Sequence, residues 1–155
     1  MYGTTVVTDG LGDIDDAFLR LRRLWSVSRQ RLIDDQDAVV DISSLIVLEA
    51  CARGAALGRE VTIGDVAVLA DVAPSTATRL VDRAVDRHWV RRTASGSGGR
   101  RTAVALTAAG SALHDRAVRA RQAWLAEQLV GWDKADTARL GQLLVRFADG
   151  LDSGR

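Results

Sequence analysis

Residues 61–87, VTIGDVAVLADVAPSTATRLVDRAVDR, decide the fold of this chain. Val61, Thr62 and Ile63 are β-branched, and Thr62 with Asp65 three positions on reads as a variant capping box, so a short helix is predicted from Ile63 to about Ala70. A break at 71–73 leads to Pro74, whose missing N–H costs nothing at the first position of a helix. Two helix starts so close together require a tight turn. From Pro74 to Arg87 the apolar set Ala77, Leu80, Val81, Ala84 and Val85 keeps a 3.6-residue period, and Ser75, Thr76, Thr78, Arg79, Asp82, Arg83 and Asp86 fall on the other faces.

Beyond this pair, 89–93 and 101–106 are strand-like and flank Ser95-Gly96-Ser97-Gly98-Gly99, which predicts a hairpin with a loose tip. Short helix, tight turn, helix and hairpin together make a winged helix-turn-helix, whose second helix enters the major groove of DNA. The fold class expected is mostly α (α+β), with a DNA-binding lobe over 61–107. A groove-reading helix needs small hydrogen-bonding side chains near its N-terminus and a long donor just behind them. Ser75, Thr76, Thr78 and Arg79 meet that description, and Arg83, one turn on, is expected at a phosphate. Arg91 and Arg92 alternate along a strand, so at most one of them faces DNA.

The flanks read as long helices. Asp13 is expected as an N-cap, with Asp15 and Asp16 in the first turn and Ile14, Ala17, Phe18, Leu21, Leu24, Trp25 and Leu32 at helical spacing to about Asp34. Ser43 is expected to cap a second helix through Cys51, ended by Gly54. Thr107 is expected to cap a helix reaching about Val130, with Leu113, Ala117, Ala120, Trp124 and Leu129 on one stripe. Gly131 interrupts it, and Asp133 with Asp136 opens a last helix carrying Leu140, Leu144, Phe147 and Leu151.

Composition sets bounds. The chain has 155 residues, 47% hydrophobic and 26% charged, as expected of one globular domain over 1–155. Its net charge of +1, from 21 basic and 20 acidic residues, excludes a polycation, so a nucleic-acid surface must be local. Within 61–107 seven arginines stand against four aspartates, a net +3 on one segment of a nearly neutral chain. All but Lys134 of the basic residues are arginine, whose planar fork suits phosphate and guanine.

The single cysteine, Cys51, leaves no internal disulfide and no Cys/His zinc site, and its place on an apolar face predicts a buried core residue. Residues 1–12 lack the pattern of a signal peptide, and no eighteen apolar residues run unbroken. A cytoplasmic protein without membrane contact is expected. The glycine-rich tip lacks a following Gly-Lys-Ser/Thr, which argues against a phosphate-cradling loop. Ser111, His114 and Asp115 lie close on one helix, but no oxyanion feature accompanies them, so no enzyme, no cofactor and no metal are expected.

From Val61-Thr62-Ile63-Gly64-Asp65-Val66-Ala67 through Pro74-Ser75-Thr76-Ala77-Thr78-Arg79-Leu80-Val81-Asp82-Arg83, then His88-Trp89-Val90-Arg91-Arg92 and Arg100-Arg101 leading to Leu106-Thr107, the sequence resembles the multiple antibiotic resistance regulator (MarR) family. The resemblance spans nearly the whole chain. It implies a homodimer whose helices at 13–34 and 107–151 intertwine, with two winged lobes on a pseudo-palindromic operator in double-stranded DNA. It implies a repressor, often released by a small-molecule effector. Trp25 and Trp124 are expected in the dimer core, with a ligand pocket at their junction as the alternative, Trp89 as the anchor of the wing and Trp132 at the hinge of the last two helices. The resemblance also places Arg100 or Arg101 in the flanking minor groove. The family's wing commonly has an aspartate two residues before that first arginine, where this chain has Gly98. His88 stands where the family often has a glycine with positive φ. The rival from another class is a winged helix that binds protein instead of DNA.

Overall fold

The computed structural model describes residues 10–31, 40–94 and 102–152, with the backbone alone over 22–31 and at 152. The expected end of the first helix near Asp34, the wing tip at 95–99, Gly98, Arg100 and Arg101 lie outside the described residues, as do the side chains of Leu24 and Trp25. The described elements are α1 (Leu11–Arg31), α2 (Ile42–Ala56), β1 (Val61–Thr62), α3 (Ile63–Ala70), α4 (Pro74–Asp86), β2 (Val90–Ala94), β3 (Thr102–Leu106), α5 (Ala108–Gln128) and α6 (Lys134–Asp152). The expected order of short helix, turn, helix and hairpin is present. The chain divides into two compact units, Met1–Ala120 and Arg121–Arg155, with α5 running through the division.

In the first unit the three strands form an antiparallel sheet in the order β1-β3-β2. β3 sits in the middle, with Val61 opposite Val104 on one side and Val90 opposite Leu106 on the other. The core lies between this sheet and helices α2 to α5. Val47 and Leu48 of α2, Val66 of α3, Val81 of α4 and Val90 of β2 are its largest fully buried side chains. Ala77, Leu80 and Ala84 complete the α4 stripe, and Leu113 and Ala117 bring in the first half of α5.

Three successive helices end in the same way. At each end a residue turns left-handed and the following N–H reaches back five residues to a helical carbonyl. Gly58 (φ 63°) is followed by Arg59 N–H to Gly54 O at 3.0 Å, Asp71 (φ 52°) by Val72 N–H to Ala67 O at 3.1 Å, and His88 (φ 57°) by Trp89 N–H to Ala84 O at 2.9 Å. The positive φ expected at His88 is therefore present.

Several boundaries differ from the sequence reading, each for a local reason. Helix α1 begins at Leu11, which places Asp13 inside its first turn instead of at the cap. Asp41, not Ser43, caps α2, because its carboxylate accepts the Ser44 N–H at 2.8 Å. Gly54 does not end α2: it stays helical because a Cβ there would stand 2.1 Å from the Val61 side chain, and Gly58 makes the turn. The capping box at Thr62 and Asp65 forms as expected, with Thr62 N–H donating to Asp65 Oδ2 at 2.7 Å and Asp65 N–H to Thr62 Oγ1 at 3.2 Å.

In the second unit α5 stops at Gln128, Gly131 takes φ 89°, and Asp133 caps α6 by accepting the Asp136 N–H at 2.6 Å. Trp132 lies in this turn, half exposed. Leu143, Leu144, Val145, Phe147 and Leu151 are all exposed on α6. In the first unit α1 shows the same pattern, with Leu11, Ile14, Phe18 and Leu21 exposed at helical spacing.

Candidate nucleic-acid interface

Helix α4 is held by its apolar stripe and presents the opposite face. Ala77, Leu80, Val81 and Ala84 are buried, while Ser75, Thr76, Arg79, Asp82, Arg83 and Asp86 are exposed. Its N-terminus carries no side-chain cap: Ala73, in extended conformation, offers only its carbonyl, which accepts the Thr76 and Ala77 N–H groups. With Pro74 first, Ser75 supplies the first N–H of the helix, at the positive end of its dipole. Thr78 is half-buried and donates its hydroxyl to Pro74 O at 2.9 Å, so its oxygen remains an acceptor.

The exposed face is fastened at both edges. Toward α2, an Nη of Arg83 stands 3.5 Å from Asp41 Oδ2, the second oxygen of the residue that caps α2. Toward the wing, Asp82 pairs with Arg92 of β2. Arg92 shares its strand face with Val90, which is buried in the core, whereas Arg91 points to the opposite face and is exposed. Arg87, at the end of α4, stacks over Trp89 at 5.5 Å from the ring centroid. Between these fastenings lie Ser75, Thr76 and Arg79, and Arg79 makes no ion pair with any described residue.

The wing is locked to α5 at its base. Thr107 Oγ1 donates to His88 O at 2.6 Å and accepts from Gly110 N at 3.0 Å, while Thr107 N–H donates to Trp89 O at 3.0 Å. A Cβ on Gly110 would stand 1.8 Å from Trp89 O, so backbone rests on backbone there. Trp89 thus anchors the wing's first strand, as expected.

Of the site residues expected from sequence, Ser75, Thr76, Thr78, Arg79 and Arg83 come together on one helix. Arg100 and Arg101 lie outside the described residues. Sequence reasoning missed the Asp82–Arg92 and Asp41–Arg83 pairs, because partners ten and forty-two positions apart on different elements leave no periodic signal. The spacing of Thr107 and Gly110 was the one available hint of the α5 joint.

The other candidates resolve into structural roles. His114 lies 3.0 Å from Glu49 of α2 through Nε2 and 3.7 Å from Asp115 through Nδ1, while Ser111 is exposed. Burial would raise the Glu49 carboxyl, but hydrogen bonds with His114 and Arg53 hold it below the usual range. Cys51 is 3% exposed, its thiol directed at Val104 O, and burial pushes its pKa up to about 11. Among the described residues no cluster of three His, Cys, Asp or Glu could hold a metal, and no helix is long and apolar enough to cross a membrane.

Comparison with known proteins agrees with this geometry. The sequence profile of the MarR family matches residues 40–101. A helix-turn-helix-type transcriptional regulator of Mycobacterium bovis is 31% identical over 121 residues, 78% of this chain and 80% of that protein. Among solved structures, RV1404 from Mycobacterium tuberculosis superposes with a TM-score of 0.72 at 23% identity, covering 90% of this chain and 92% of that one. FabT of Streptococcus pneumoniae, solved in complex with DNA, gives a TM-score of 0.72 at 16% identity over 93% of this chain and 99% of its own. The family profile over residues 40–101, together with the length and identity of the mycobacterial match, shows that this chain belongs to the MarR family of winged helix-turn-helix transcriptional regulators.

Proposed function

We propose that the protein acts in the cytoplasm as a homodimeric repressor, placing two copies of α4 in successive major grooves of a pseudo-palindromic operator, about 34–36 Å apart. The exposed face of α4 carries this reading: small hydroxyls at an uncapped helix N-terminus, with Arg79 behind them and no acid among the described residues holding it. Ser75 and Thr76 meet phosphate at the dipole end, Arg79 reads a base edge, and Arg83 exchanges Asp41 for phosphate. Arg100 and Arg101 are the arginines proposed for the minor groove.

The division of the chain follows from this. Residues 61–107 are the proposed DNA lobe, and the segments 13–34 and 107–151 the proposed dimer layer. Supporting that layer, α1 and α6 carry rows of leucine, isoleucine and phenylalanine that a single chain leaves exposed. A small-molecule effector is the third partner. A cleft of about 230 Å3 lined by Asp41, Ser44, Arg83, Asp86, Arg87 and Trp89 is where one would bear directly on α4.

Selection of bound sites from random duplex DNA, followed by gel shift with excess nonspecific competitor, tests the reading. A symmetric site is expected to emerge. Arg79→Ala is expected to weaken its binding by about 1–3 kcal/mol, with the loss concentrated at one position of each half-site. A uniform loss across sequences would make Arg79 a phosphate contact, and failure to retain any duplex would turn α4 into a protein-binding surface.

A further inference from the structure

Asp82 is an oddity on a helix that faces DNA: an exposed acid beside Arg79, where charge alone opposes a phosphate backbone. Its carboxylate pairs with Arg92, ten residues on, in the first strand of the wing. Arg92 is 37% exposed at its side chain and Asp82 53%, so the pair bridges the two elements at the surface, outside the core contact that Val90 makes. Among the described residues no other ion pair joins α4 to β2, and Val104 opposite Arg92 and Thr102 opposite Ala94 carry no charge.

From this we propose that Asp82 and Arg92 are a positioning pair: they fix the base of the wing against α4 and so set where the wing meets DNA, neither of them reading sequence. The proposal rests on the DNA reading of α4 given above. It assigns Arg92 a role distinct from that of Arg91, which points to the other face of the strand, and it gives Asp82, one of the two exposed acids of α4, a function that offsets its repulsion of phosphate.

The sign of one measurement separates positioning from plain electrostatics. Removing a negative charge from a DNA face strengthens binding if charge is all that matters. Positioning predicts the reverse for the selected site. Asp82→Asn is expected to lower affinity for the site selected by the wild type about three- to fivefold, the scale of an exposed ion pair, while affinity for a scrambled duplex of equal length holds or rises. Arg92→Gln should lose the same factor, the double variant no more than either single one, and Asp82→Glu should restore most of it.

In the free protein, amide hydrogen exchange over β2 and β3 should quicken in both single variants. Tighter binding of the selected site by Asp82→Asn, losses that add in the double variant, or unchanged exchange in the wing would each overturn the proposal. A wild type that retains no duplex would defeat the DNA reading by itself. Exchange on the free protein would then still decide the pair: faster exchange supports the fastening, and unchanged exchange removes it.

Discussion

His88 holds φ at 57° with a β-carbon in place, a left-handed conformation that glycine adopts without cost and that histidine tolerates better than a β-branched residue but still at some cost. His88→Gly is expected to raise stability by about 0.5–1 kcal/mol, read as a higher urea midpoint at unchanged slope. Gly110 poses the opposite constraint. Its α-carbon lies against the Trp89 carbonyl, and Gly110→Ala is expected to cost about 2–3 kcal/mol, measured by thermal unfolding, because neither backbone can retreat. The first position was legible through the resemblance, because the family often has a glycine of positive φ there. The second was not: what it requires is set by a chain segment twenty-one residues away. Cys51, enclosed and with its pKa at about 11, is expected to react with a thiol reagent at pH 8 only at the rate of global unfolding. Rapid labelling of the native protein, or loss of DNA binding after peroxide that Cys51→Ser prevents, would contradict its structural role.

At the scale of elements, the Thr62–Asp65 box starts the helix that sets up the turn into α4. Burial alone would raise the Asp65 carboxyl, yet hydrogen bonds from Thr62 and the charge of Arg59 hold it below the usual carboxylate range. A depressed folded-state pKa means that the contribution is complete above the unfolded value near 4 and disappears as pH falls through the folded one. Asp65→Asn is therefore expected to flatten the acid limb of the stability profile below about pH 4. Thr62→Ala should cost about 1 kcal/mol at neutral pH. Caps and periods in 61–87 were legible because each depends on residues three or four apart. The start of α2 was misread although its cap, Asp41 to the Ser44 N–H, is local, because Ser43 offered a competing cap two residues on; its end was misread because Gly54 is selected by the approach of Val61, not by a need to turn. Likewise the hairpin was legible from its two runs and glycine-rich centre, but not the Asp82–Arg92 ion pair at its base.

For the whole molecule, the proposed dimer rests on the exposed apolar rows of α1 and α6. Leu144→Asp, which places a carboxylate in the row on α6, is expected to convert a dimer into a 16.6 kDa monomer in sedimentation, with site affinity falling as the second half-site is lost. A wild type that sediments as a monomer, or a variant that remains dimeric, would move the dimer layer elsewhere. Within the first unit, the joint of His88, Trp89, Thr107 and Gly110 has a mechanical consequence. It contains two carbonyls, a hydroxyl, two N–H groups and a bare α-carbon, with no long side chain to bend or change rotamer. A displacement of the first turn of α5 is therefore expected to pass, backbone to backbone, to the end of α4, so that in the proposed DNA complex this joint would couple the angle of α5 to the seat of α4 in the groove.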